Sequence, residues 1–197
     1  MMIINEKELI KKTQAGDFNA FGEIYDYYFT KLLNYAHRRT LNYEASEDIV
    51  SNTFMKALNN INKFQIREFG ISPWLYKIAN NEMNAYYNKQ NKYAFIPEEA
   101  MLEYFSDDQE LQTNEIKEAE LELMRTTQFS ELQKYIAELK PNYQEIVHLR
   151  FFEDKSYEEL EQILDMKQVT IRSQLSRAIG MLREAMQRKD YQPNLAK

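Results

Sequence analysis

Two stretches of the chain repeat their apolar residues at helical spacing. Val50, Thr53, Phe54, Ala57 and Ile61 share one face, with Asp48, Asn52, Met55 and Asn59 turned the other way. Ile171, Leu175, Ala178 and Leu182 follow at steps of four, three and four, which places them on one buried face of a second helix. At about 100° per residue the opposite face of that helix holds Val169, Ser173, Ser176 and Gly180, with Arg172 and Arg177 on its flanks. A third helix, near 73–92, is predicted to bury Leu75, Ile78, Ala79 and Tyr86 and to turn Lys77, Asn80, Asn81, Asn84, Asn88 and Asn91 outward.

Local signals supply the ends. Further helices are expected near 6–15, 18–38 and 44–61, and Ser72-Pro73 reads as a serine N-cap followed by proline at the first helical position. Pro141 opens a helix reaching about Phe152, and Ser156 with Glu159 three residues later is a capping box. The break at Asp165-Met166-Lys167 has the length of a helix-turn-helix. By pattern alone this hairpin fits two readings: an ordinary packing motif with a solvated face, or a DNA reader. A strip of small residues between two arginines can sit deep in a major groove while the guanidinium groups reach base edges or phosphates.

Composition supports helices throughout, since 4 Gly and 4 Pro in 197 residues leave little for tightly turned sheets. The expected fold is all-α: two small helical domains, residues 1–93 and 128–190, joined by an acidic linker over 94–127, with a tail at 191–197. Pro97 marks the first boundary. With no cysteine, thiolate metal sites and disulfides are excluded. The N-terminal apolar run is too short for a signal peptide and no stretch approaches the roughly 18 apolar residues of a membrane span, so a soluble, cytoplasmic protein without membrane insertion is expected. The net charge of −6 is uneven. Ten acids stand against Lys117 alone between Glu98 and Glu122, whereas six bases stand against Glu184 alone between Lys167 and Lys189. Local sign governs attraction within a Debye length, so the second helix attracts polyanions although the whole chain does not. No glycine-rich phosphate loop is present, and His37 and His148 lie in different blocks without a carboxylate pattern. Neither catalytic residues, a metal nor a cofactor are expected, and Trp74 is expected to anchor the core rather than to act as a base-stacking wedge.

Read whole, "LKPNYQEIVHLRFFEDKSYEELEQILDMKQVTIRSQLSRAIGMLRE" (139–184) resembles region four of bacterial RNA polymerase sigma factors, in particular the extracytoplasmic-function class. Pro141, Leu149-Arg150, Ser156-Tyr157-Glu158-Glu159 and Thr170-Ile171-Arg172-Ser173 stand in its register. "GDFNAFGEIYDYY" (16–28), "SEDIVSNTFMKAL" (46–58) and "SPWLYKIANNEMNAYY" (72–87) separately resemble region two. Three departures stand out: Asp165 replaces a usual turn glycine, Lys167 a common serine cap, and Asn88 and Gln90 replace arginines near the end of the melting helix.

The resemblance implies a factor that binds core RNA polymerase and promoter DNA, and it allows an anti-sigma protein as a further partner. It implies polymerase docking through Asp48, Asn52, Met55 and Lys56, where an outward methionine suits an adaptable surface. Residues 72–92 and the preceding loop, 62–71, would capture the melted minus-ten strand, with Lys77, Asn80, Asn81, Asn84 and Asn88 meeting it, since amides can pair with the edges of unstacked bases. Gln168, Thr170, Arg172, Ser173, Ser176 and Arg177 would read the upstream, minus-thirty-five element as duplex. The rivals are a stand-alone helix-turn-helix regulator and a helical adaptor without DNA contact.

Overall fold

The computed structural model describes residues 5–90 and 132–190, and among these every regular element is helical. The helices are α1 (Glu6–Gln14), α2 (Phe18–Thr40), α3 (Tyr43–Asn60), α4 (Ser72–Gln90), α5 (Pro141–Val147), α6 (Tyr157–Leu164) and α7 (Gln168–Asp190). The expected acidic linker lies outside the described residues. No described helix is long and apolar enough to cross a membrane.

The chain forms two compact units: residues 1–94 with His148–Ile171, and residues 95–147 with Arg172 onward. In the first unit each early helix starts on a side-chain cap. Asp17 Oδ1 accepts from the Asn19 amide at 3.0 Å, and Asn42 Oδ1 accepts from the Ala45 amide at 2.8 Å. The α2–α3 connection is only Leu41 and Asn42, and Leu41 takes a left-handed φ of 51° to make it, a conformation uncommon for a branched side chain. Ile10, Ile24, Leu32, Tyr35, Leu75 and Met83 fill the core between these four helices.

The start of α4 corrects the expected serine cap. Leu75 N donates to Ile71 O at 3.1 Å, so Ile71 is the capping residue and Ser72 already lies in the first turn. The Ile71 amide is satisfied from outside, by Glu6 Oε2 at 3.0 Å, a partner 65 residues away that local pattern cannot show. Gly70 takes a left-handed φ of 62°, and a Cβ added there would fall 2.0 Å from Glu6 Oε2, so the Glu6 carboxylate that holds the Ile71 amide would have to move.

Residues 148–171 complete the first unit. The helix opened by Pro141 widens over His148–Phe152 into a π-helical turn, with Glu153 N donating to His148 O at 3.1 Å. The Ser156 capping box forms as read: the Ser156 hydroxyl accepts from Glu159 N at 3.1 Å and Glu159 Oε2 accepts from Ser156 N at 2.9 Å. α6 ends on Asp165, whose φ of 52° takes the left-handed turn without glycine, and three residues separate it from α7. In the second unit, Gln144 Nε2 donates to Ala137 O and Leu139 O, closing the end of the helical residues 132–137. Leu175 and Ala178 bury the inner face of α7 there.

Candidate nucleic-acid interface

α7 presents the arrangement its periodicity predicts. Ile171, Leu175 and Ala178 are buried, Leu182 is half-buried, and Thr170, Arg172, Ser173, Ser176 and Arg177 are exposed. Gln168 is half-buried, and its Nε2 donates to Glu161 Oε2 of α6 at 3.0 Å, so the turn holds it back towards the preceding helix.

The asparagine face of α4 is only partly what its pattern suggests. Asn81, Asn84 and Asn88 are exposed. Asn80 is a correction: it is 4% exposed, and its Oδ1 accepts from the Tyr35 hydroxyl at 2.5 Å inside the core. Tyr76 and Met83, absent from the expected core, are buried on this helix, while Ile78 and Tyr86 are half-buried. Asn91 lies outside the described residues. Lys77 is half-buried and its Nζ meets Asp165 Oδ2 at 2.5 Å.

Trp74 is a second correction. It is half-buried rather than central, and its ring lies 4.7 Å from that of Phe64 at 33°. The two rings line a hollow of about 370 Å³ with Lys63, Asn60 and Asn81 on its rim. Lys56 lines the same hollow, its Nζ 2.5 Å from Glu82 Oε1 of α4. One residue expected at a polymerase surface and one expected at DNA are thus brought together. Asp48 and Asn52 line a different hollow, of about 330 Å³, with Glu44, Tyr86 and Lys89. Met55 is 59% exposed and lines neither. Sequence reasoning took Lys63 and Phe64 only as part of the loop 62–71 and missed Glu82. Within that loop nothing but the position of Phe64, ten residues before the only tryptophan, singled it out.

Around α4 the electrostatics are those of a held scaffold. Glu153 is nearly buried and accepts from Arg38 Nη1 at 2.8 Å and from the Tyr76 hydroxyl at 2.5 Å. Burial, and then the Glu153 charge, push the Tyr76 phenol well above its usual range. His148 is held neutral, its pKa lowered to about 3 by burial first and then by Arg39 and Arg38. Lys155 Nζ donates to the Ser72 hydroxyl at 2.8 Å. Among the described residues no group of three or more His, Cys, Asp or Glu is placed to hold a metal ion.

Comparison with known proteins assigns both halves. The family description Sigma-70 region 2 matches residues 24–93, and Sigma-70, region 4 matches residues 129–182. RNA polymerase sigma factor YlaC of Bacillus subtilis is 31% identical over 164 residues, which are 83% of this chain and 90% of that protein. ECF RNA polymerase sigma factor SigW of Bacillus subtilis is 28% identical over 186 residues, 91% of this chain and 96% of that one. The solved structure of CnrH in complex with the cytosolic domain of CnrY aligns with a TM-score of 0.65 at 19% identity, over 92% of this chain and 97% of that one. That of RpoE in complex with the anti-sigma factor NepR from Bartonella quintana aligns with a TM-score of 0.62 at 21% identity, over 85% and 96%. At those identities the likeness to the solved structures is one of fold. With both regions matched in order, and relatives spanning most of its length, the chain belongs to the sigma-70 family of RNA polymerase sigma factors, in the extracytoplasmic-function class.

Proposed function

We propose that this sigma factor gives core RNA polymerase its promoter specificity through two separate readers, carried by modules at 1–93 and 128–190 that the 94–127 linker joins. α7 lies in the major groove of the upstream element, with Thr170, Arg172, Ser173, Ser176 and Arg177 towards the bases and phosphates. α4 and the loop before it hold the melted minus-ten strand. Asn81, Asn84 and Asn88 offer amides to base edges, and the Phe64–Trp74 hollow offers a stacking surface for an unstacked base. Asp48, Asn52, Met55 and Lys56 of α3 face the polymerase, which performs the phosphoryl transfer. The observation that carries this reading is the outward face of α7, where exposed small and basic residues back onto a buried apolar stripe, directly after a capped helix and a three-residue turn. Two solved structures of the same fold are complexes with CnrY and with the anti-sigma factor NepR, which supports an anti-sigma protein as a partner here. The cytoplasm is the compartment in which this work is done.

The test is retention of core RNA polymerase by the tagged chain, followed by run-off transcription and by fluorescence anisotropy on promoter duplex. The factor should bind the duplex tightly only with core polymerase present, because its net charge is −6. Tight, specific binding by the free protein as a dimer on repeated half-sites would favour the stand-alone regulator. Failure to retain polymerase or to bind DNA at all would favour the adaptor.

A further inference from the structure

Among the described residues Val169 is the most exposed large hydrophobic side chain, at 76%. It stands in the first turn of α7, the part of a second helix that meets base edges when a helix-turn-helix docks. The residue before it is turned away from such a surface, for Gln168 is half-buried and its amide donates back to Glu161 at 3.0 Å. Two residues further on, Ile171 is fully buried, which fixes the rotation of the helix and keeps Val169 on the outward side. One turn along the same face lies Ser173, a side chain too small to hold the helix off a groove floor.

A valine side chain can accept or donate no hydrogen bond, so it can distinguish base pairs in only one way. In the major groove thymine alone among the four DNA bases carries a methyl group, at C5, and apolar side chains recognise it by contact. We propose that Val169 is a specificity-determining residue of the upstream reader, its γ-methyl groups packing against the C5 methyl of one thymine in the minus-thirty-five element. This rests on the assignment of α7 to the upstream duplex. It divides the reading within α7: the polar and basic residues take hydrogen-bonding edges and phosphates, and Val169 takes a methyl group.

The test uses the holoenzyme, formed from core polymerase and the full chain. A preferred upstream element is first selected from randomised duplexes, and each thymine in it is then replaced singly by deoxyuridine, which lacks only the methyl group. At one position the replacement should lower wild-type binding by about fourfold, the worth of one buried methyl group. With Val169→Ala the same replacement should have no effect, while preferences at the other positions and retention of core polymerase stay as in wild type. Because Val169 is exposed and alanine is the better helix former, the variant is expected to fold as wild type does. Val169→Ile should keep the thymine preference. A flat deoxyuridine scan on an element that is otherwise strongly selected overturns the inference and leaves the upstream assignment standing. So does a deoxyuridine penalty of the same size in Val169→Ala. If no upstream element can be selected, the assignment of α7 falls and the inference falls with it.

Discussion

The Tyr35 hydroxyl donates to Asn80 Oδ1 at 2.5 Å in the interior of the first unit, while Asn81, one residue on, stands in solvent at the rim of the Phe64–Trp74 hollow. Asn80→Ala should therefore act on stability, costing about 1–3 kcal/mol because a buried hydroxyl loses its acceptor. Asn81→Ala and Asn84→Ala should leave thermal unfolding within about 0.5 kcal/mol of wild type, as exposed substitutions to a better helix former do. Thermal unfolding monitored by circular dichroism separates the two classes. Periodicity alone could not, because it assigns a polar residue outward unless a partner far along the chain satisfies it, and Tyr35 lies 45 residues upstream. His148 shows the same limit in its titration, which the chain's pattern does not reveal. Its ring lies 5.1 Å from that of Phe152, tilted by 35°, and it faces Arg38 and Arg39 of α2; its folded pKa of about 3 lies below the ordinary value near 6.5. The unfolded chain thus binds the proton first on acidification. The contribution of His148 to stability is complete above pH ~6.5 and is lost progressively as pH falls towards about 3. Urea unfolding should show roughly 2 kcal/mol of loss between pH 7 and 5 that is absent in His148→Gln. Equal losses in both proteins would contradict this.

Between elements, two ion pairs of similar length carry different weight. Glu153, at the end of the π-helical turn, is 7% exposed and joins Arg38 of α2 at 2.8 Å while accepting from Tyr76 of α4. Lys77 of α4 meets Asp165 after α6 at 2.5 Å, but the two side chains are 37% and 74% exposed. Burial decides between them. Glu153→Gln leaves the partly buried Arg38 guanidinium without its counter-charge and should cost about 3 kcal/mol, whereas Asp165→Asn should cost less than about 1 kcal/mol. Urea midpoints of the two variants check the ordering, and a larger loss in Asp165→Asn would reverse it. The helices themselves were legible where the signal is local: the Ser156 capping box, the three-residue break and the buried stripe of α7 all stand where the chain's pattern puts them. The cap of α4 was not, because Ile71 is satisfied by Glu6 rather than by a neighbour. Nor was the Phe64–Trp74 hollow, since a tryptophan at its rim and a tryptophan in a core look alike in one dimension.

At the scale of the whole molecule the chain carries a net charge of −6, yet 23 residues of α7 and the turn before it hold six bases against one acid. Such a distribution suits a protein brought to DNA by a larger enzyme and required to touch it only locally. The all-helical class and the order of the two regions were legible because helix periodicity and family motifs are carried by short stretches. Which residues share a surface was less so: Lys56 and Asn81, assigned to different partners, line one hollow. The central claim is that the chain holds two readers for two states of promoter DNA, and one crossed measurement on the holoenzyme tests it. Asn81→Ala with Asn84→Ala, and separately Arg172→Ala, are assayed for capture of a single-stranded minus-ten oligonucleotide and for selection among upstream duplexes. The asparagine variant should lose oligonucleotide binding and keep its upstream preference. Arg172→Ala should keep oligonucleotide binding and lose about 1–3 kcal/mol of discrimination at one upstream base pair, since only an intact major groove presents that edge. If both variants weaken both activities equally, or if neither changes either one, the chain does not contain two separate readers on these faces.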